Sequence, residues 1–167
     1  MTPLTLDGAL RRTAAGHAVR FTRDYATDAA DLWQALTTPD RLARWLAPAS
    51  GAFCLGGEVV VAFDDDQARF VVRACEPPTA LAVEWVHTAE HSTFVTVAIE
   101  ALDDERCRLV LDHDGLTAGQ APEYAAGWHA HLDVMGALLQ DAPAPSWDER
   151  FAAARPGYAA QLGGDHT

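Results

Sequence analysis

The stretch Leu81–Leu116, LAVEWVHTAEHSTFVTVAIEALDDERCRLVLDHDGL, decides the fold. Leu81, Val83, Trp85 and His87 stand at every second position, as do Val95, Val97 and Ile99, and then Leu109, Leu111 and His113. Successive side chains of a strand point to opposite faces, so each run reads as a half-buried strand. Thr88-Ala89-Glu90 and Asp103-Asp104-Glu105 interrupt the runs and read as turns between them. Consecutive strands joined by such short turns form an antiparallel meander.

The meander extends towards the N-terminus. Ala68–Cys75 is a strand closed by Glu76-Pro77-Pro78, and Glu58–Phe63 is a strand ended by Asp64-Asp65-Asp66. Phe53–Leu55 is expected as a short strand, with Gly56-Gly57 as the turn after it. His17–Tyr25 is the first strand, with Val19, Phe21 and Tyr25 alternating with polar residues. Between these lie two short helices. Asp28 caps the first, which carries Leu32, Trp33 and Leu36. Pro39 suits the first turn of the second, where Leu42, Trp45 and Leu46 make a stripe.

The longest helical pattern follows the meander. From Ala121 to Gln140, Tyr124, Trp128, Leu132, Met135 and Leu139 recur three or four apart. Asp141–Pro145 ends it. A short helix then starts at Ser146, with Glu149 at capping-box spacing, and Arg155-Pro156-Gly157 is expected to stop it. Trp147, Phe151 and Tyr158 should pack this tail back on the rest. The expected organisation is an N-terminal segment 1–16, a domain over 17–141 and a tail over 142–167. The class is α+β, a curved antiparallel sheet of about six to seven strands wrapped on the long helix.

Bulk composition excludes several functions. The 167 residues carry 12 basic and 24 acidic side chains, for a net charge of −12. Nucleic acid is bound largely by cations on phosphate, so this balance argues against it, and against anionic membrane surfaces. No apolar run approaches the roughly 20 residues of a membrane helix. Leu4, Leu6 and Leu10 precede Arg11 and Arg12, the reverse of a secretory leader. Cys54, Cys75 and Cys107 are sparse and unpaired, which suits a reducing compartment. A cytoplasmic protein is expected.

Five segments in order resemble a known family: ALTTPDRLARWLAPASG (35–51), LGGEV (55–59), CEPPTALAVEW (75–85), CRLVLDHDGL (107–116) and YAAGWHAHLDVM (124–135). They are similar to the SRPBCC superfamily, the START-like and birch-pollen-allergen-like proteins. The branch resembled is that of homologues of the activator of the 90-kDa heat-shock-protein ATPase. The similarity runs from about His17 to Gln140. It implies a helix-grip fold, in which sheet and C-terminal helix enclose a cavity often used for hydrophobic ligands. The chain has no room for the separate N-terminal partner domain of the full activator.

The residues then sort by what they could do. Trp45, Phe53, Trp85, Val97, Leu111, His113, Trp128, His131, Leu132 and Met135 are the candidate cavity residues. His113 ends an inward-facing series and is either a ligand contact or a satisfied core histidine. His129 and His131 point about 200° apart on a helix, so they cannot grip one metal ion together. His131 lies nearer the Trp128 face, and His129 is expected to face solvent. His87 and His91 flank a turn and match no dedicated metal site. Arg69 and Arg73 are expected on the solvent face. The acidic runs lack a calcium-loop pattern, and Gly56-Gly57 lacks the Lys-Ser/Thr of a phosphate loop.

No catalytic residue, cofactor or metal ligand is assigned. The expected function is binding of a small hydrophobic or amphipathic molecule between sheet and helix. The alternatives are a cyclase, dehydratase or hydrolase using a cavity histidine, and a chaperone-interacting or homodimeric module. An exposed patch at Trp147, Phe151 and Tyr158 would favour the last of these.

Overall fold

The computed structural model describes residues 5–63, 66–87 and 91–164. Eight strands run β1 Ala9–Thr13, β2 Gly16–Tyr25, β3 Ala49–Gly51, β4 Glu58–Ala62, β5 Gln67–Glu76, β6 Ala80–His87, β7 Thr93–Asp103 and β8 Arg106–Leu116. Four helices are α1 Ala29–Thr37, α2 Pro39–Trp45, α3 Gln120–Leu139 and α4 Trp147–Gly164. The strands make one sheet in the order β1-β2-β8-β7-β6-β5-β4-β3, every neighbouring pair antiparallel.

The meander is as the alternation predicts. Along β7, Thr93, Val95, Val97 and Ile99 are buried while Phe94, Thr96, Ala98 and Glu100 are exposed. Register shifts in β2, β5 and β7 mark bulges, which add twist and bend the sheet. The bent sheet grips α3, whose Leu132 and Met135 meet a core that includes Phe21, Leu109 and Leu111. This is the helix-grip arrangement. Asp28 caps α1 by accepting from the Asp31 N–H at 2.7 Å, and Pro39 opens α2. The expected turn over 88–90 lies outside the described residues.

Three expectations need correction. The sheet has eight strands because the N-terminal segment contributes β1, hydrogen-bonded to β2. Arg11 and Arg12 sit inside β1 and hide its alternation. Phe53–Leu55 is not a strand. The Gly57 N–H donates to the Cys54 carbonyl at 2.7 Å, and Gly56 has φ +79°, so this stretch is a turn. The strand lies upstream at Ala49–Gly51, paired with Val59–Val61 of β4.

The last helix does not stop at Pro156. It continues to Gly164, with Pro156 inside it. A proline there forfeits a hydrogen bond and costs about 3 kcal/mol. The loss falls on an exposed side, since Ala152 and Pro156 both face outward. The opposite side carries Phe151, Ala154 and Tyr158, with Ala154 and Tyr158 fully buried. Burial of a large side chain offsets much of that cost, at roughly 1.5–3 kcal/mol each.

Candidate functional site

One side of the sheet closes firmly on α3, and the other leaves a gap. A cleft of about 220 Å³ opens where α3 and α4 pass over the end of β4 and the middle of β6. The helix α3 lines it with Tyr124, Gly127, Trp128 and His131, one stripe at helical spacing. Trp147 and Phe151 of α4 form the facing wall, with Phe63 after β4 and Trp85 on β6. Leu46 and Glu123 complete it. The spot above Gly127 is open, with no heavy atom within 4 Å of where a Cβ would stand.

A larger cleft of about 760 Å³ adjoins this one. It runs along Ala43–Pro48, Val134 and Pro145, and its polar residues are Arg44, Asp66 and Asp148. Leu46, Phe63, His131 and Trp147 line both clefts and so form the neck between them.

The rings on the inner wall pack mostly against one another. Trp85 lies between Phe63, stacked at 5.6 Å, and His113, stacked at 5.1 Å. Trp128 meets Trp85 edge-on at 6.0 Å, and Trp147 stacks on Phe151 at 5.0 Å. Such pairs stabilise each other by about 1 kcal/mol beyond burial, so these walls are rigid.

Two histidines behind and within the cleft have fixed tautomers. His113 is fully buried. The Trp128 Nε1–H donates to its Nδ1 at 2.9 Å, so Nε2 carries the hydrogen and donates to Thr93 Oγ1 at 2.7 Å. His113 therefore supports Trp128 from behind and does not line either cleft. His131 donates its Nδ1–H to the Trp45 carbonyl at 2.9 Å. Burial pushes its pKa down to about 4, and the bond to Trp45 only partly opposes this. The ring is neutral at pH 7, with Nε2 as an acceptor. Trp45 is itself anchored, its indole N–H donating to the Ala35 carbonyl at 2.9 Å.

Of the residues expected in a cavity, the structure brings Trp85, Trp128 and His131 to the inner cleft and Trp45 to the outer one. Val97, Leu111, Leu132 and Met135 lie in the sheet–α3 core. Phe53 packs at its edge. Leu46, Phe63, Glu123, Tyr124, Gly127, Trp147 and Phe151 also line the inner cleft and are not among the expected cavity residues. Tyr124 was legible from its stripe with Trp128. Phe63 and the α4 residues carry no such signal, because they reach the cleft from separate elements.

His129 is a correction. It is 2% exposed and not solvent-facing. The Tyr158 hydroxyl accepts from the Gly8 N–H at 3.1 Å and is hydrogen-bonded to His129 Nδ1 at 2.9 Å. His129 Nε2 lies 3.5 Å from Asp133, and Arg23 bridges Asp133 and Asp7 at 2.7 Å each. Burial pushes His129 below its ordinary pKa, against the pull of Asp133. This network ties the segment before β1, β2, α3 and α4 together. The tail patch is accordingly not exposed: Tyr158 is fully buried, and Trp147 and Phe151 are half-buried.

The other expectations resolve simply. Arg69 and Arg73 are on the solvent face, paired with Glu58 at 3.8 Å and Glu84 at 2.7 Å. His91 Nε2 lies 2.7 Å from the Gly115 carbonyl, and the side chain of His87 is outside the described set. Among the described residues, no three His, Cys, Asp or Glu side chains come together as a metal site. Among the same residues, no helix is long and apolar enough to cross a membrane.

No curated protein matches the chain. The crystal structure of CalU16 from Micromonospora echinospora is 25% identical with a TM-score of 0.78, covering 96% of this chain and 98% of that one. A solution structure of a Bordetella parapertussis protein is 28% identical with a TM-score of 0.70, covering 95% and 94%. The Aha1 dimer of Colwellia psychrerythraea shares the fold at 19% identity and a TM-score of 0.66, covering 73% and 95%. The family model of activator of Hsp90 ATPase homolog 1-like proteins matches residues 26–140, from the turn before α1 to the end of α3. The chain belongs to that family.

Proposed function

We propose that this protein binds a small, largely apolar ring compound in the inner cleft. The observation that carries the reading is the lining: six of its ten residues are Phe, Tyr or Trp, drawn from four separate elements or their ends. Cores bury such residues against each other without leaving a gap. Here they surround about 220 Å³ of space that continues into a wider cleft. Sites for drug-sized molecules span roughly 300–1,000 Å³ and are mostly apolar with few polar groups. The inner cleft falls just below that range and the outer cleft lies within it. The family resemblance supports the same reading, since helix-grip proteins often use the space between sheet and helix for hydrophobic ligands.

Gly127 gives the test. A leucine there projects into the cleft from a position with nothing nearby to strain. Replacing a mid-helix glycine also stabilises a helix, by up to about 1 kcal/mol. Naphthalene is a suitable probe, followed by isothermal titration calorimetry. The native protein is expected to bind it, and Gly127→Leu is expected to lose at least about tenfold in affinity with an undiminished Tm. Equal binding by both proteins would show that this cleft is not the site.

A further inference from the structure

The inner cleft is mostly apolar; beside the Tyr124 phenol and the indole N–H groups, its polar side chains are Glu123 and His131. Glu123 lies at its rim and is ion-paired with Arg155 at 2.6 Å. His131 stands at the neck, its ring near Trp128 at 6.3 Å and Trp147 at 5.3 Å. Its Nδ1–H is committed to the Trp45 carbonyl. Nε2, across the ring from that bond, has no partner among the described residues, while the ring lines both clefts. The neck thus offers one oriented acceptor, His131 Nε2, on a ring beside Trp147, whose indole N–H is buried and has no hydrogen-bond partner among the described residues.

That arrangement discriminates between ligands. A carboxylate or phosphate would bring lone pairs against the lone pair of Nε2 and near Glu123. No Arg or Lys lines the inner cleft to compensate. A quaternary ammonium needs open ring faces. Trp85 already stacks with Phe63 and with His113, and Trp147 stacks with Phe151 and has the tilted His131 ring nearby. An uncharged ether or hydrocarbon would leave Nε2 without a partner. A neutral N–H or O–H answers each condition, and the O–H alone also accepts a hydrogen bond readily through its oxygen.

We infer that the cleft selects an uncharged, flat apolar molecule bearing a hydroxyl, and that this hydroxyl donates a hydrogen bond to His131 Nε2. The inference rests on the binding reading above and adds the ligand class and the residue that recognises it. The neutrality of the imidazole at pH 7 supports it, since a protonated ring would have no lone pair to offer. His131 acts as an acceptor and not as a base. A ring titrating near 4 is too weak to remove a hydroxyl proton at pH 7.

The test compares four probes by calorimetry at pH 7: naphthalene, 2-methoxynaphthalene, 2-naphthol and 2-naphthoate. On the native protein, 2-naphthol should bind about fivefold tighter than 2-methoxynaphthalene, the worth of one net hydrogen bond. 2-Naphthoate should bind weakest. His131→Phe should erase the gap between naphthol and its methyl ether, read as the ratio of the two affinities on that same variant. Equal affinities for naphthol and ether on the native protein would overturn the inference. So would a gap that survives in His131→Phe. If that variant fails to fold, the ranking of the four probes on the native protein decides. Failure of naphthalene itself to bind would remove the binding reading, and this inference with it. Naphthalene binding without a preference for naphthol would remove the inference alone.

Discussion

His131 shows how one side chain is tuned by what covers it. Burial between Trp128 and Trp147 penalises the imidazolium, and the Trp45 carbonyl accepts from only one nitrogen. The folded-state pKa falls from 6.5 to about 4. A lowered histidine contributes stability that is fully present above the unfolded value. That stability is lost as pH falls through the folded value. The gap corresponds to about 3 kcal/mol lost between pH 6.5 and 4. His131→Gln keeps a donor for the Trp45 carbonyl and cannot titrate. Urea unfolding at pH 7 and pH 4.5 should therefore show the native protein losing about 2 kcal/mol more than the variant. Equal losses would mean the ring is not taking up the proton. His131 was legible as a cavity residue because it shares a helical face with Trp128. His113 was legible as inward, but its bond to the Trp128 indole was not, since β8 and α3 meet only in the fold.

At the level of elements, α4 was the hardest to read. Pro156 and Gly157 signal a helix end on local grounds, and the helix runs past both. Tertiary contacts outweigh that signal. The Tyr158 ring is buried against Phe21 and His129, and its hydroxyl holds Gly8 and His129 at once. The same long-range contact explains the misreading of His129, which looked solvent-facing along α3 alone. Tyr158→Phe keeps the ring and removes the hydroxyl. It leaves the Gly8 N–H and His129 Nδ1 unpartnered, at a cost of about 1–3 kcal/mol for each buried group left so. Hydrogen exchange should then accelerate in α4 and in the segment before β1, with the centre of the sheet unaffected. Unchanged exchange in α4 would show that the hydroxyl does not hold it.

For the whole molecule, the sheet is unequal from side to side. Strands β2, β8 and β7 lie at the firm end, where Val19, Phe21, Leu109 and Leu111 are all but inaccessible. Strands β4 and β3 lie at the other end, beside the clefts, and β3 is three residues long. Regions with fewer buried contacts open at lower free energy. Native-state exchange should find β2 and β8 amides opening only with global unfolding, and the amides of β3, where Ser50 and Gly51 are exposed, well before it. Comparable protection across the sheet would contradict this picture. The meander, the two short helices and the long helix were all readable, because period and capping are local properties. The clefts were not. They depend on rings from β4, β6, α3 and α4 failing to meet, which no single segment encodes.

The outer borders of the sheet carry a consequence for solubility. An open sheet ends in two rows of unpaired backbone groups, which invite strands from other chains. At one border, Gln161 of α4 accepts from the Leu10 N–H at 3.3 Å and donates to the Gly8 carbonyl at 3.3 Å. At the other, β3 is too short to template a long ladder and closes on Gly51 at φ +122°. Edge-to-edge polymerisation is thereby discouraged on both sides. Any second copy that docks must use a face of the molecule and its side chains, where specificity can be written, instead of the sequence-blind backbone.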